Sequence, residues 1–514
     1  MGPQAVAGVE VQVPDTQSLT DRLVTTFDPR DAVPMRVIVL GAGVAGCAAA
    51  LAFARGAHDV VVLDRGDTQS FDGWSADEVF ARWQRRGIAQ FRQPHNFLGL
   101  ARAVLRDRFA DVYSAVRDVG ATEVKQDSFL CDAAREAGDE DLATVACRRP
   151  VFDATLHAAV AAQPRITYRR TEVTGLCLRP HGHAAHVVGV ELASGESLTA
   201  DLVVDAAGRR SRTSEWLSAA GARPLPSVSS DCGLLYYSRH YRLRDGEPMP
   251  PYASLLGGPR GDLGYLAFAT FLGDNRTFCL CIMVPPWDRG FRELRDPAAF
   301  QRIAVRLPGL AAWLEPSDSV SAVLPMGQLR NQLLDVVDDD GPLLTGLIPI
   351  GDARCHTNPT FAFGASLSLW QAVRLADLAD HATDNIDLVT CFESEIGADA
   401  SARFHAVSAE DRDRARWWSG EPIDTTDPAV SLPLFLRSIA YPVAARHPAL
   451  LRAVARRINA LDPVDRLAGD PELLDRARAL HAQSAADRPL VPPRSLILAA
   501  LAGDAAELTT KTNP

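Results

Sequence analysis

The first regular pattern along the chain is a continuous apolar run, Met35-Arg-Val-Ile-Val-Leu40, which predicts a strand buried on both faces. Gly41-Ala-Gly-Val-Ala-Gly46 follows, then a small-residue helix from Cys47 to Arg55, a turn at Gly56, and a second buried strand, Asp59-Val-Val-Val-Leu-Asp64. That order is a βαβ unit and predicts a parallel sheet. Residues 67–99 are less regular. Helical spacing returns over about 98–120 and 149–162, and short strands are expected at 166–169, 172–178 and 186–191, with a hairpin turn at Ser194-Gly-Glu-Ser. Leu202-Val-Val-Asp-Ala-Ala-Gly208 is another buried strand running into a glycine turn.

After Pro224 the pattern changes to long alternation, at 234–244 and in two runs between Gly264 and Pro285 separated by Gly273-Asp-Asn275. In the second run Phe278, Leu280, Ile282 and Val284 share one face. These strands predict a mixed sheet inserted over about 225–340, a natural wall for a binding site. Asp338 to Pro342 reads as a turn, and the run Leu343-Leu-Thr-Gly-Leu-Ile-Pro-Ile350 leads into Gly351-Asp352. Helices are expected from about 365 to the early 380s, near 388–420, and through 428–480.

Composition narrows the function classes. The 514 residues allow roughly three domain-sized units, at about 150 residues each. With 47% hydrophobic residues the chain can bury a substantial core. Its 53 basic and 64 acidic side chains leave a net charge of −11, which argues against nucleic acid as a partner. Nine widely spaced cysteines do not make a disulfide framework, and Cys279-x-Cys281 lacks the spacing of a redox or zinc pair. A reducing cytoplasm is the expected location. Residues 1–34, read as an N-terminal extension, carry Asp15, Asp21, Asp28 and Asp31 without the apolar core of a signal peptide. The run Leu496-Ile-Leu-Ala-Ala-Leu-Ala502 is too short to span a membrane, which leaves peripheral contact open.

The sharpest chemical signal is Gly41-x-Gly43-x-x-Gly46 between a strand and a helix. Gly41 permits the tight turn, Gly43 lets the backbone approach a pyrophosphate, and Gly46 lets helix and sheet pack closely. Free N–H groups at the helix start then meet the phosphate charge. Asp64 ends the next strand, where a carboxylate can hold an adenosine ribose. Either NAD or FAD satisfies these residues. A late strand-to-turn element, Ile348-Pro-Ile-Gly-Asp352, is followed by another small-residue helix and can return to the same crevice to hold the far half of an extended cofactor.

On these residues the chain resembles the FAD-dependent monooxygenases of the aromatic hydroxylase and epoxidase superfamily, closest to the bacterial branch of squalene-epoxidase-like and polyketide-epoxidase-like proteins. The resemblance covers roughly residues 35–420. Gly41, Gly43 and Gly46 match the ADP-binding glycines, with Val44, Ala45 and Arg65 beside them, and Asp64 matches the ribose acid. Gly351 and Asp352 match the late Gly-Asp pair that contacts the ribityl and pyrophosphate region, Asn358, Pro359 and Gly364 the loop and helix start beside the isoalloxazine, and Arg149 an arginine directed at the cofactor. Gly87-Ile-Ala-Gln-Phe-Arg-Gln-Pro-His95, Arg209-Arg-Ser-Arg212 and Tyr236-Tyr-Ser-Arg-His-Tyr241 are also similar to this branch. The chain departs from the aromatic hydroxylases at Ala207, where an acid is usual, and at Phe361 and Ala362, where the loop is small or polar.

The resemblance implies an α/β fold: a Rossmann-like FAD-binding domain written at 35–224 and 343–385, an inserted substrate-binding sheet at 225–342, and a helical C-terminal region at 386–514. It implies a monooxygenase in which reduced FAD and O2 form a C4a-hydroperoxide that passes one oxygen to a largely apolar substrate, by epoxidation or hydroxylation, of the kind met in secondary metabolism. NAD(P)H is the expected electron donor, directly or through a separate flavin reductase. His95, Pro359 and Gly364 are the candidate catalytic positions. Tyr236, Phe268, Trp287 and Phe361 are the candidate substrate wall. Three alternatives stay open: a flavin dehydrogenase, oxidase or reductase acting on a C–C bond, a halogenase-like enzyme, and a non-catalytic flavin-binding protein. Against halogenation, Lys125 is the only lysine in the first 500 residues, and no Trp-x-Trp-x-Ile-Pro element is present. No metal-ligand motif, nucleophile elbow or Walker lysine occurs.

Overall fold

A computed structural model describes residues 33–503 apart from 67–69, 86, 182–183, 485 and 487–489. The N-terminal extension expected at 1–34 therefore lies almost wholly outside the described residues. Five parallel strands form the central sheet in the order Leu347–Pro349, Leu202–Asp205, Arg36–Leu40, Asp59–Asp64 and Ile166–Arg170. Ile38 pairs with Val61 on one side and Val203 on the other. The apolar runs form strands because they are buried on both faces: Val44–Arg55 and the helices packed on it lie against the sheet, as does the antiparallel strand Ala184–Leu192, which contacts Leu202–Asp205. Val44–Arg55 packs against Phe363–Ala379 and Arg149–Ala161, and Leu51, Phe53, Trp370 and Phe152 are fully buried among them. The late strand thus joins a sheet begun three hundred residues earlier, and all five carboxyl ends open on one crevice, the usual ligand position in such sheets.

An antiparallel meander, Val173–His181, Ala184–Leu192 and Ser197–Thr199, flanks the crevice and is extended by Leu344–Thr345. Residues 225–342 supply not the expected mixed sheet but a wholly antiparallel one, with Leu235–Leu243, Thr277–Val284 and Ala267–Leu272 as its long strands. A separate antiparallel sheet joins Ser227–Asp231, Arg330–Leu334 and Cys355–His356. Phe278, Leu280, Ile282 and Val284 face one apolar cluster with Tyr241 and Trp313, beneath Pro297–Ala304 and Arg494–Ala502. Tyr236, Ala267, Cys281 and Met283 face the other way. Asp274, in the hairpin between the two runs, accepts from the backbone N–H and guanidinium of Arg148 and clamps the sheet to the nucleotide half. Both residues are buried, so this pair is one whose breakage costs about 3–5 kcal/mol.

Several local expectations change. The irregular stretch contains a short helix, Ala76–Arg82, set by a reciprocal capping box between Ser75 and Glu78. The helical pattern over 98–120 breaks at Phe109 into Gly99–Arg108 and Ala110–Asp118. The turn at 338–342 is a minimal hairpin pairing Val337 with Pro342. The C-terminal apolar run returns to cover the large antiparallel sheet. The stretch Pro428–Arg446 is long and apolar enough to cross a membrane by composition, yet Phe435, Leu436, Ile439 and Val443 are buried in the central core. All nine cysteines are free, and burial raises the thiol pKa of both Cys279 and Cys281.

Candidate active site

A cavity of about 1500 Å³ runs along the carboxyl ends of the parallel strands. Single small-molecule pockets are usually about 300–1,000 Å³, so the cavity has room for an extended ligand and a second molecule. At one end, the Gly41–Gly46 turn feeds Val44–Arg55 into the crevice. No side chain caps this helix and no acid sits in its first turn, leaving its N–H groups for an anion. A Cβ on Gly46 would stand 1.9 Å from the Gly41 carbonyl, so this glycine enforces the close turn-to-helix contact. Around Gly43 nothing lies within 4 Å of where a Cβ would be; that space is open crevice.

Asp64 closes the nucleotide end. One carboxylate oxygen accepts from the Ala42 N–H at 2.7 Å and from Arg85 at 2.9 Å, and the other from the Gly66 N–H at 2.7 Å. Arg85 also contacts the Ala42 carbonyl and His157. Arg85 carries no distinctive sequence signal beyond lying among three arginines, and the structure brings it into the first ring around the ribose acid. Arg65 lines the same end.

The returning segment supplies the middle. Gly351, with φ +58°, donates its N–H to Gln371 at 2.7 Å. A Cβ there would stand 2.7 Å from Ser368 Oγ and 3.0 Å from Ala45 Cβ, so only glycine lets the turn pass between the two helices. Asp352 then lies on the cavity wall, accepts from Gln90 at 3.3 Å, and is adjacent to Gly364. Phe363–Ala379 starts from Ala362 in the left-handed region, again without a side-chain cap or an acid in its first turn. Two uncapped helix N-termini therefore reach one cavity, through Val44 and Ala45 and through Gly364 and Ala365. These residues fit a dinucleotide with a central pyrophosphate.

His95 lies on the wall with both ring nitrogens engaged: Nδ1 donates to the Gln93 carbonyl at 2.9 Å, and Nε2 accepts from Arg149 at 3.1 Å. Burial, reinforced by the Arg149 charge, pushes its pKa down to about 3. The neutral imidazole, with both ring nitrogens engaged, holds Arg149 at the wall. Asp205 is fully buried and accepts from Ser211, Thr213 and the Ala207 N–H, so the Asp-Ala-Ala-Gly turn is organised from its first acid, and Ala207 needs no carboxylate for that. Burial raises the Asp205 pKa, against these hydrogen bonds.

The substrate wall differs from expectation. Tyr236 lines the cavity beside Met326, its hydroxyl 2.8 Å from the Met326 sulfur, and burial lifts its pKa well above the usual phenol range. Phe268 does not line it. It pairs across the sheet with Ile282, on the opposite pleat from Tyr236, and is 2% exposed in the far cluster. Trp287 stands after the strand end, 50% exposed and off the cavity wall. Phe361 stacks on Phe363 at 5.9 Å and packs on the core. Asn358 and Pro359 reach the wall, but the Asn358 side chain is turned inward: Nδ2 donates to Asp411 at 2.6 Å, and Oδ1 accepts from the Thr360 N–H at 3.1 Å. Gln93, Gln328 and Arg209 complete this end, and Gln328 holds a left-handed φ of +55°. None of the three stood out in the sequence as a site residue.

Comparison with known proteins agrees with this geometry. A family model described as Glucose inhibited division protein A matches residues 36–230. Protein Rv3254 of Mycobacterium tuberculosis is 27% identical over 279 residues, which is 50% of this chain and 55% of that protein. The chain thus spans about half the length of the curated relative it matches. The flavin-dependent brominase Bmp2 superposes with a TM-score of 0.55 at 15% identity, covering 89% of this chain and 100% of that one. PqsL of Pseudomonas aeruginosa, described as "a probable FAD-dependent monooxygenase", does so at 0.53 and 14% identity, covering 76% and 99%. The chain has the fold of the FAD-dependent monooxygenase superfamily.

Proposed function

We propose that this chain, an FAD-dependent oxidoreductase by fold, is a monooxygenase that places one oxygen atom of O2 on a small, largely apolar organic substrate. The carrying observation is a single cavity whose two uncapped helix N-termini and terminal carboxylates Asp64 and Asp352 suit FAD, with a separate end walled by Tyr236, Met326, Pro359 and Gln93. Bound FAD supplies the oxygen activation and takes its electrons from NAD(P)H, directly or through a separate reductase. The chain's residues bind and orient. Asp64 takes a ribose hydroxyl with the acceptor capacity left by Ala42, Gly66 and Arg85. Helix N–H groups meet the pyrophosphate, and Asp352 meets the polyol linker. Arg149, held by neutral His95, faces the cofactor. Tyr236, Met326 and the Pro359 loop shape the apolar space from which water is excluded.

A halogenase is expected to carry an essential lysine in this domain, and Lys125, the only lysine in the first 500 residues, sits exposed on Thr122–Lys125 and off the cavity wall, which favours oxygen transfer over halogenation. The free thiols support a reducing, cytoplasmic setting. Purified protein is expected to show flavin bands near roughly 370 and 450 nm, whereas an NAD enzyme has none. With 18O2 and extracted metabolites, one labelled oxygen should enter an organic product. Oxidised product without label would instead support the dehydrogenase reading. Asp352→Ala should fold and retain FAD much more weakly; undiminished flavin content would remove Asp352 from the cofactor site.

A further inference from the structure

The helical region after residue 386 reaches the cavity through one buried cluster. Asp411 and Arg414, on Ala398–Trp418, are each 1% exposed. Asp411 accepts from Asn358 Nδ2 at 2.6 Å and Arg414 at 2.6 Å on one oxygen, and from Asn331 Nδ2 at 2.8 Å on the other. Asn331 returns its side-chain oxygen to the Asn358 backbone N–H at 2.6 Å. Arg414 also donates to the Cys232 carbonyl at 2.6 Å. Three parts of the chain meet there: Cys232, just after the strand Ser227–Asp231; Asn331, on the strand Arg330–Leu334 that pairs with it; and the loop Asn358-Pro359 that borders the cavity. Every partner of the carboxylate is an N–H donor, so the cluster needs an acceptor on both oxygens.

We infer that Asp411, with Arg414, is a positioning residue for the cofactor loop: it clamps Asn358 from behind and so sets where Pro359 and the start of Phe363–Ala379 stand against the flavin. This rests on the flavin reading above. The clamp replaces what a mobile or direct-contact loop would do. The Asn358 amide, fully committed to Asp411 and Thr360, holds the loop instead of touching the ligand. Because the carboxylate and guanidinium are buried together, their charges cancel beside the cavity. Removing one leaves the other to act on the flavin through a medium of low polarity.

Asp411→Asn keeps the shape but turns an acceptor into a donor against one of its three partners. In FAD-free protein, hydrogen exchange over 357–362 should accelerate at least about tenfold while the parallel sheet stays protected. In the loaded protein, FAD affinity should fall about tenfold, and the flavin midpoint potential should rise as Arg414 is left uncompensated. Arg414→Lys, which keeps the charge, should leave the potential at the wild-type value. Asn358→Ser removes the link to Asp411, while its hydroxyl offers the Thr360 N–H an acceptor in place of the amide oxygen, and it carries the test if Asp411→Asn does not fold; it should reproduce the loop exchange and the affinity loss without the rise in potential. Unchanged exchange over 357–362 in a folded variant overturns the clamp, whether or not flavin binds. Wild-type affinity and potential in folded Asp411→Asn overturns it in the loaded protein. A wild-type protein that takes up no FAD sinks the flavin reading instead, and is recognised separately because the exchange result does not depend on it.

Discussion

Replacing Gly43 by alanine separates the nucleotide site from the fold. Gly43 has φ −75° and ψ −171°, a backbone open to any residue, and nothing lies within 4 Å of the new methyl group. The folding cost is therefore limited to a poorer helix N-cap, about 0.5–1 kcal/mol, or about 2–4 °C at most in a chain this long. The methyl group nevertheless projects where the pyrophosphate must approach the first-turn N–H groups. Charge-assisted hydrogen bonds of that kind contribute about 1.5–3 kcal/mol each. Losing two of them lowers FAD affinity by roughly 10²–10⁴-fold. Gly46→Ala is the opposite case. Its methyl group would stand 1.9 Å from the Gly41 carbonyl, where contacts under 3.0 Å essentially never occur. The turn must then move by roughly 1 Å, an overpacking strain of about 1–3 kcal/mol on top of lost binding. Thermal unfolding of FAD-stripped proteins, with flavin content by absorbance and affinity by calorimetry, compares the two. Stoichiometric flavin in Gly43→Ala would refute the crevice assignment, and a large loss of apo stability there would refute the open space around Gly43.

Acid should destabilise the fold through buried histidines. Burial pushes His95 down to about 3 and both His157 and His240 to about 4, from 6.5. The unfolded chain therefore takes up protons that the folded one refuses, and stability is lost as pH falls from about 6.5 toward those values. Tm should drop between pH 7.5 and pH 5, less steeply in His157→Gln, and a pH-independent Tm would contradict the burial. Tyr236→Phe should lower substrate turnover with unchanged flavin content, whereas Trp287→Ala, exposed and off the cavity, should alter stability by no more than about 0.5 kcal/mol and leave turnover intact. A loss of turnover in Trp287→Ala would restore that residue to the substrate wall.

The features legible in the sequence share one property: their constraint is local. Gly41, Gly43 and Gly46 are dictated by a turn six residues long, and Gly351 by a turn whose neighbours, Ala45 and Ser368, are themselves small. What escaped detection depends on relations between distant segments. Phe268 and Tyr236 both look like wall residues along their own strands, because alternation shows that a face exists without showing which strand phases coincide. Pairing settles that: Phe268 opposes Ile282, Ile282 opposes Tyr237, and Tyr236 is left on the other face. A slip of one residue would have reversed the assignment. The polar residues behave likewise. His95 and Asn358 were singled out for a place beside the cofactor, but the direction of each side chain is decided by a partner far along the chain, Arg149 for one and Asp411 for the other. His95, expected as a catalytic group, and Asn358, expected as a cofactor contact, are both held by those partners. Supports of this kind leave no spacing in the sequence, since a buried carboxylate such as Asp411 looks the same there as a solvated acid on a helix surface. Only the count of donors around it, three with no water-facing side, separates the two.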